Sequence, residues 1–289
     1  MKLAWAMFIT FFILGILLWT VFWAAAWLLG LSGSFLIYGV FIFIGVMVFI
    51  QWAIGPAIIK LTVRAKECKD QNILNMVYEI AEKSNLPRPK VYIVDNPTPN
   101  AFAFGRTQAS SNVALHTGLF DKLSQEEIRA VVAHEMGHIK HRDVIVMTLA
   151  SALPAILYYI IYFGLLAASS RDRQGTNYLG AWVGGMVAQF LATLLVLYLS
   201  RVREYYADSY SGQITKKPTS LASALAKISY NLTQTRTPSP TAMRSFYIAD
   251  EVSSKYSAQM EKERGRGWME VFMTHPLTYK RIRALEQMR

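Results

Sequence analysis

Two histidines lie four residues apart in the segment His134-Glu135-Met136-Gly137-His138. If this segment is helical, both imidazoles lie on one face, where two ring nitrogens can converge on a single metal ion. A zinc ion bound there would lower the pKa of a water molecule to about 7, which makes that water a nucleophile for hydrolysis. We therefore predict that His134 and His138 bind one Zn2+ per chain, and that Glu135 is the general base.

A catalytic zinc usually has three protein ligands and one open position, so a third donor must come from another segment. The single cysteine, Cys68, excludes a cysteine cluster. The longer zinc motif on one helix requires glycine and histidine where this chain has His141 and Val144. We predict Glu204 as the third ligand, because it follows the last long apolar stretch, and a membrane hairpin between His138 and Glu204 would bring the two close in space. Asp208, one helical turn further, is predicted to accept the remaining ring N–H of a zinc-bound histidine, although a solvated aspartate is the alternative.

Four long stretches without a charged residue separate the polar parts of the chain. They are residues 3–30, 35–59, 144–170 and 178–200. Each is long enough for the about 20 residues that cross a bilayer, so we predict four transmembrane helices in a lipid bilayer. A cleaved signal peptide is the alternative for the first stretch, which is longer than the apolar part of such peptides, about 7 to 15 residues. The composition agrees, because 53% of residues are apolar and 17% charged.

Basic residues crowd one set of ends of these stretches. They are Lys60, Arg64, Lys66, Lys69, Lys140, Arg142, Arg201 and Arg203. The opposite links, residues 31–34 and 171–177, contain no charge and three charges, respectively. The positive-inside rule then predicts that both polar blocks and both termini are cytoplasmic. Membrane topology thus accounts for much of the net charge of +11, and we predict no nucleic-acid partner.

The predicted fold class is a mainly α membrane protein whose cytoplasmic α+β catalytic domain contains a small sheet. Residues 1–59 hold the first two transmembrane helices and residues 144–200 the next two. Residues 60–143 carry the HExxH helix, and residues 201–289 carry the third zinc ligand and a mobile loop.

Local patterns predict the elements of the two polar blocks. Ser124 and Glu127 form a capping box that opens the HExxH helix, which continues towards Asp143 and the third apolar stretch. The other predicted elements are helices at 61–85, 220–232 and 276–289, strands at 91–94, 101–104 and 112–116, and a loop at 233–267.

Two further segments are candidates for contact with a substrate. His275 could donate a hydrogen bond to a developing oxyanion, or it could form only local bonds at the start of the last helix. The amide of Asn100 and the strand that begins with Ala101 and Phe102 could pair with an extended peptide backbone. Asparagine after Pro99 is also typical of a turn.

Several of these motifs occur in a fixed order along nearly the whole chain. They are Asn100-Ala101-Phe102-Ala103, the HEMGH segment, Glu204 with Asp208, and His275-Pro276 followed by Arg281-Ile282. With four apolar stretches, this order resembles the HtpX family of integral-membrane zinc endopeptidases, which is related to the CAAX prenyl-protein proteases.

The resemblance implies a zincin-like (gluzincin) catalytic domain, zinc held by His134, His138 and Glu204, and catalysis by Glu135. It also implies degradation of misfolded or damaged membrane proteins at the cytoplasmic face of the cell inner membrane, as a stress response. Such an enzyme could cooperate with other membrane proteases.

Alternative functions stay open at this point. One is CAAX-type processing of prenylated proteins, and another is a catalytically silent membrane scaffold in which zinc only stabilises the cytoplasmic domain. A transporter is disfavoured, because the charge-free stretches supply no intramembrane relay.

Overall fold

The computed structural model describes residues 33–169, 177–234 and 267–288. The first predicted span, residues 3–30, and residues 235–266 of the predicted loop lie outside this part of the chain. The helices are α1 (Gly33–Thr62), α2 (Gln71–Lys83), α3 (Thr117–Lys122), α4 (Gln125–Lys140), α5 (Asp143–Ala150), α6 (Leu153–Ser169), α7 (Tyr178–Thr215), α8 (Pro218–Gln234) and α9 (Thr278–Glu286). The strands are β1 (Lys66–Glu67), β2 (Lys90–Val94), β3 (Ala101–Phe104) and β4 (Asn112–His116), and short 3-10 helices cover Gln108–Ser110 and Gly267–Phe272.

Three helical segments among the described residues are long and apolar enough to cross a membrane. They are Tyr38–Thr62, Asp143–Ser169 and Tyr178–Thr215. They contain nearly all of the second, third and fourth apolar stretches of the sequence, so the mainly helical membrane fold is confirmed in its coarse form. The count of four spans stays a prediction.

The chain forms two compact units that alternate along the sequence. One contains the described residues of Met1–Gly55 and Thr148–Val196, and the other contains those of Pro56–Met147 and Leu197–Arg289. Every residue predicted to take part in chemistry belongs to the second unit.

The second unit contains a four-stranded mixed sheet with the strand order β1-β2-β4-β3. β2 and β4 are parallel, whereas β1 pairs with β2 and β3 pairs with β4 in antiparallel fashion. The predicted strands at 91–94, 101–104 and 112–116 are confirmed. Their apolar side chains face two sides, and most of them are buried.

The predicted continuous helix at 61–85 is wrong in its first part. Helix α1 ends at Thr62, and Lys66 and Glu67 instead pair with Ile93 and Tyr92 of β2. Helix α2 then starts after Asp70, whose carboxylate accepts a hydrogen bond from the next turn's backbone. Pairing with a strand more than twenty residues away is not encoded in local apolar spacing, which explains the error.

Helix α4 is the central element of this unit's core. Its residues from Ala130 to Gly137 are all buried. Around it pack apolar side chains of α2, β2, β4, α8 and α9, among them Val77, Ile80, Val91, Leu115, Leu221, Leu225, Ile228 and Leu285. A helix enclosed in this way holds its side chains in fixed positions, which a metal site requires.

Both ends of α4 are defined by specific backbone features. The predicted capping box is confirmed, since Ser124 N–H donates to Glu127 Oε2 at 2.7 Å and Glu127 N–H to Ser124 Oγ at 3.4 Å. At the other end, Arg142 has a φ of 57°, which turns the chain into α5. The helix predicted to run on towards Asp143 is therefore interrupted at His141 and Arg142.

Candidate metal centre

Three side chains from two helices meet at one point. The Nε2 atoms of His134 and His138 are 3.2 Å apart. Glu204 on α7 places Oε1 3.5 Å from the Nε2 of His138 and Oε2 3.8 Å from that of His134. Ligands of tetrahedral zinc at about 2.1 Å from the ion would lie about 3.4 Å from one another. The observed separations bracket that value, so these residues can hold a metal ion.

Two carboxylates determine which imidazole nitrogens face the centre. Asp143 Oδ2 lies 2.6 Å from Nδ1 of His138, and Asp208 Oδ1 lies 3.0 Å from Nδ1 of His134. Each carboxylate favours the proton on Nδ1, which leaves a lone pair on each Nε2. Two lone pairs that face each other at 3.2 Å repel unless a cation lies between them, which is a proton on His138 in the metal-free protein or a metal ion in the loaded one. The donor set therefore fits a zinc ion, and Asp208 lies where an orienting residue was expected.

A close approach of α4 and α7 brings Glu204 to the histidines. A β-carbon at Gly137 would lie 3.0 Å from the Cα of Ala207, a distance that side chains rarely tolerate. The hydroxyl of Ser211 on α7 also donates to the carbonyl of Ala130 on α4 at 2.7 Å. Gly137 thus allows α4 and α7 to pack closely, a role that the HExxH motif alone does not indicate.

A buried arginine, Arg281 on α9, neutralises the two carboxylates that α7 contributes. Its Nε and one terminal nitrogen donate to Asp208 at 2.8 and 2.6 Å, and the other terminal nitrogen lies 2.9 Å from Glu204 Oε2. Burial works against its charge, but Asp208 and Glu204 outweigh burial and raise the pKa of Arg281 above its usual value. The guanidinium therefore stays charged although it is 1% exposed.

Asp143 and Arg203 were not predicted as site residues. Arg203 donates to Asp143 Oδ1 and, at 2.5 Å, to the carbonyl of His141. Burial lowers the pKa of His138, yet the bond to Asp143 and the charge of Glu204 outweigh it and raise that pKa to about 9. The signal in the sequence is the position of both charges at the ends of apolar stretches, where Arg203 also indicates membrane topology.

His141 itself does not join the cluster. Its ring packs against the rings of Tyr206 and Tyr210, with centroid distances of 5.9 and 5.5 Å. This position agrees with the expectation that His141 is not a metal ligand.

The predicted base, Glu135, lies between the cluster and the edge of the sheet. Its Oε2 accepts a hydrogen bond from Ala103 N–H at 2.7 Å, and the side chain is almost completely buried. Burial raises the pKa of Glu135, while the neighbouring His138 and His134 oppose that rise. A carboxyl held in this way is suited to accept and release a proton near neutral pH.

Strand β3 is an outer strand of the sheet. It pairs with β4 on one side, and the N–H of Ala103 points away from β4 towards Glu135. Backbone groups alternate along a strand, so Ala101 also directs its polar groups to the outer side, whereas those of Phe102 point to β4. This outer edge lies next to Glu135.

The remaining candidate residues lie close to the centre, with different exposure. His275 Nδ1 is 3.3 Å from Glu204 Oε1, so the structure brings this histidine to the cluster. Asn100, at the start of β3, is 2% exposed, and its carbonyl accepts the N–H of His116. Its amide therefore does not face solvent. His116 is buried with Nδ1 2.9 Å from the Thr98 carbonyl, as expected for a packed histidine.

Comparisons with known proteins find relatives over most of the chain. The profile described as peptidase family M48 matches residues 67–289. The protease HtpX homolog of Methanothermobacter thermautotrophicus is 40% identical over 246 residues, which cover 84% of this chain and 92% of that protein. The protease HtpX homolog 2 of Methanosarcina mazei is 35% identical, covering 95% and 94%, and the homolog of Moorella thermoacetica is 33% identical, covering 97% and 93%.

A solved structure shares the fold. The crystal structure of S. mikatae Ste24p superimposes with a TM-score of 0.58 at 20% sequence identity, over 87% of this chain and 58% of the other. This chain thus spans less than two thirds of the length of Ste24p, and at that identity the likeness concerns the fold alone.

Proposed function

Because this chain belongs to peptidase family M48 and is a membrane-bound metalloprotease, we propose that it hydrolyses peptide bonds of misfolded or damaged membrane proteins. The observation that carries this proposal is the position of the Glu135 carboxylate, between a metal-binding cluster and the outer edge of β3. We further propose that the enzyme is a multi-pass protein of the inner membrane and acts in the stress response. The basic ends of the apolar stretches support a cytoplasmic position for residues 60–143 and 201–289.

We assign one zinc ion per chain to His134, His138 and Glu204. When bound, zinc polarises the scissile carbonyl and activates a water molecule by lowering its pKa to about 7. Asp208 and Asp143 keep the two imidazoles in the tautomer that offers Nε2 to the ion.

Proton transfer in this scheme belongs to Glu135. Its carboxylate takes a proton from the attacking water and passes it to the leaving amine, while the Ala103 N–H fixes its position. His275 holds Nδ1 near Glu204, and we propose that its Nε2 donates to the substrate carbonyl oxygen as that atom gains negative charge.

The edge of β3 supports a preference for unfolded substrates. An extended peptide can add to the outer side of the strand at Ala103, beside Glu135. The Ala103 N–H already donates to Glu135 Oε2, so the Ala103 carbonyl would accept the hydrogen bond from the peptide. Such bonds require extended backbone and no particular side chain, so unfolded segments meet the requirement and folded domains do not. Asn100, Ala101 and Phe102 stay a predicted substrate-contact segment next to Ala103, and all three are buried in this structure.

The test of catalysis is Glu135→Gln in the full-length protein, purified in detergent. We expect normal zinc content and loss of cleavage of an unfolded protein by about 10²- to 10⁴-fold, the usual contribution of a general base. Glu126→Gln, at an exposed position in the first turn of the same helix, is the matched control and should keep full activity. Full activity of the Glu135 variant would refute the role assignment.

Two further outcomes separate the rival functions. A wild-type protein that binds one zinc ion but shows no chelator-sensitive cleavage of any unfolded protein would favour a silent scaffold. Cleavage of a prenylated carboxyl-terminal peptide, with unfolded membrane proteins left intact, would favour prenyl-protein processing.

A further inference from the structure

The short 3-10 helix Gly267–Phe272 carries a small apolar surface, which we call the 268–272 patch. Trp268 is 67% exposed and Phe272 52%, and between them Met269 and Val271 are also exposed. The two aromatic rings pack edge to face with centroids 6.4 Å apart. Single exposed apolar residues are normal on protein surfaces, but four within five positions indicate an interaction site.

Arg201 holds the 268–272 patch at one position along the axis of α7. Arg201 donates to the carbonyl oxygens of Val271 at 3.1 Å and Met273 at 2.8 Å. Arg201 is also the first charged residue after the charge-free stretch 178–200. The patch is therefore attached where the apolar part of α7 ends.

Neighbouring charges mark the same boundary. Arg203 bonds Asp143, which precedes the charge-free stretch 144–170. The ring of Tyr198, which is 61% exposed, lies 5.9 Å from the guanidinium of Arg201. Exposed tyrosine and tryptophan beside arginine at the end of an apolar helix are typical of a bilayer–water interface.

We propose that the 268–272 patch inserts into the interfacial region of the lipid bilayer and anchors the catalytic unit to the membrane surface, in addition to the apolar helices. The partner is a phospholipid surface, which takes the apolar side chains at the level of its upper acyl chains. Tryptophan suits this depth because its ring is apolar while its N–H remains near water.

This anchor has a consequence for the metal centre. Met273, whose carbonyl Arg201 holds, lies two residues before His275, and Glu204 lies one helical turn beyond Arg201. The metal centre is thus held close to the lipid surface, where a segment leaving the membrane would first become accessible. The inference concerns lipid contact alone, so it stands or falls independently of the proposed catalysis.

The test measures the depth of position 268 in liposomes. The full chain carries Cys68→Ala, so that no native thiol reacts, and Glu135→Gln, so that cleavage cannot interfere. A bimane label on Trp268→Cys is compared with one on Lys217→Cys, which is 57% exposed and lies beyond the end of α7, about 20 Å past Arg201 along the helix axis. The vesicles are phosphatidylcholine with bromine atoms at shallow acyl positions.

We expect the bromolipids to quench the label at 268 and to leave the label at 217 unquenched. Equal, weak quenching at both positions would overturn the proposal. A second variant, Trp268→Ser with Glu135 intact, tests whether the patch binds substrate instead. An unchanged KM for a soluble unfolded protein supports the lipid assignment, whereas a raised KM would reassign the patch to the substrate and refute it.

Discussion

Replacing Asp143 by alanine tests whether the carboxylate beside His138 sets the affinity for zinc. Asp143 Oδ2 lies 2.6 Å from Nδ1 of His138, and the other oxygen accepts from Arg203. The carboxylate keeps the proton on Nδ1, fixes the ring plane and makes Nε2 a stronger donor to the metal. Without it, the ring can rotate and Nε2 becomes less basic.

The size of the effect follows from the type of bond. A hydrogen bond to a charged group contributes about 1.5–3 kcal/mol, and each 1.4 kcal/mol is about a factor of ten in binding. Asp143→Ala should therefore weaken zinc binding by about 10- to 100-fold. The pKa of His138 is about 9 in the metal-free protein, so below that pH a proton competes with zinc. Removing Asp143 lowers this pKa and relieves the competition, so the loss of affinity should be greatest above about pH 9 and smaller near neutral pH.

The assay is competition with a chromophoric chelator, using the full-length protein in detergent at neutral pH and above pH 9. Asp143→Asn should lose less affinity, because its amide oxygen can still accept from Nδ1–H. Asp121→Ala, at an exposed position on α3, is the control and should bind zinc as the wild type does. Thermal unfolding of the metal-free variants checks that the fold is intact. If Asp143→Ala binds zinc with wild-type affinity at the higher pH, the orienting role is refuted.

Other predictions use the same reasoning. Gly137→Ala should destabilise the protein by about 1–3 kcal/mol and weaken zinc binding, because the new methyl group presses on the backbone of Ala207; an unchanged melting temperature and affinity would contradict this. Arg281→Met should lower the free energy of unfolding of the zinc-free protein by about 3–5 kcal/mol, because Asp208 and Glu204 lose their buried counter-charge. The loss should be smaller when zinc is bound. If the variant and the wild type are equally stable in denaturant titrations, the charge argument is refuted. Zinc affinity of the wild type should rise about tenfold per pH unit from neutral pH to about 9, as His138 loses its proton, and a flat profile would show that this histidine is already neutral.

Features that depend on near neighbours in the chain could be predicted without coordinates. The HExxH residues lie on a helix that a capping box begins, and three strands were placed correctly from short runs of apolar residues. The approach of Glu204 to the histidines also followed from sequence, because two apolar stretches that form a hairpin must bring their ends together. In these cases periodicity, capping and span length carry the information.

Features that depend on contacts between distant segments could not be predicted. Strand β1 forms only because β2 offers it a partner, and Asp143, Arg203 and Arg281 acquire their roles only where α4, α5, α7 and α9 converge. The sequence does not show which residue a charged side chain pairs with. A charged residue could therefore equally be a topology signal or a solvated group. Local spacing therefore predicted His134, His138 and Glu135, and the order of the apolar stretches predicted Glu204. The groups that orient, neutralise and pack these residues depend on three-dimensional proximity, which the sequence pattern does not contain.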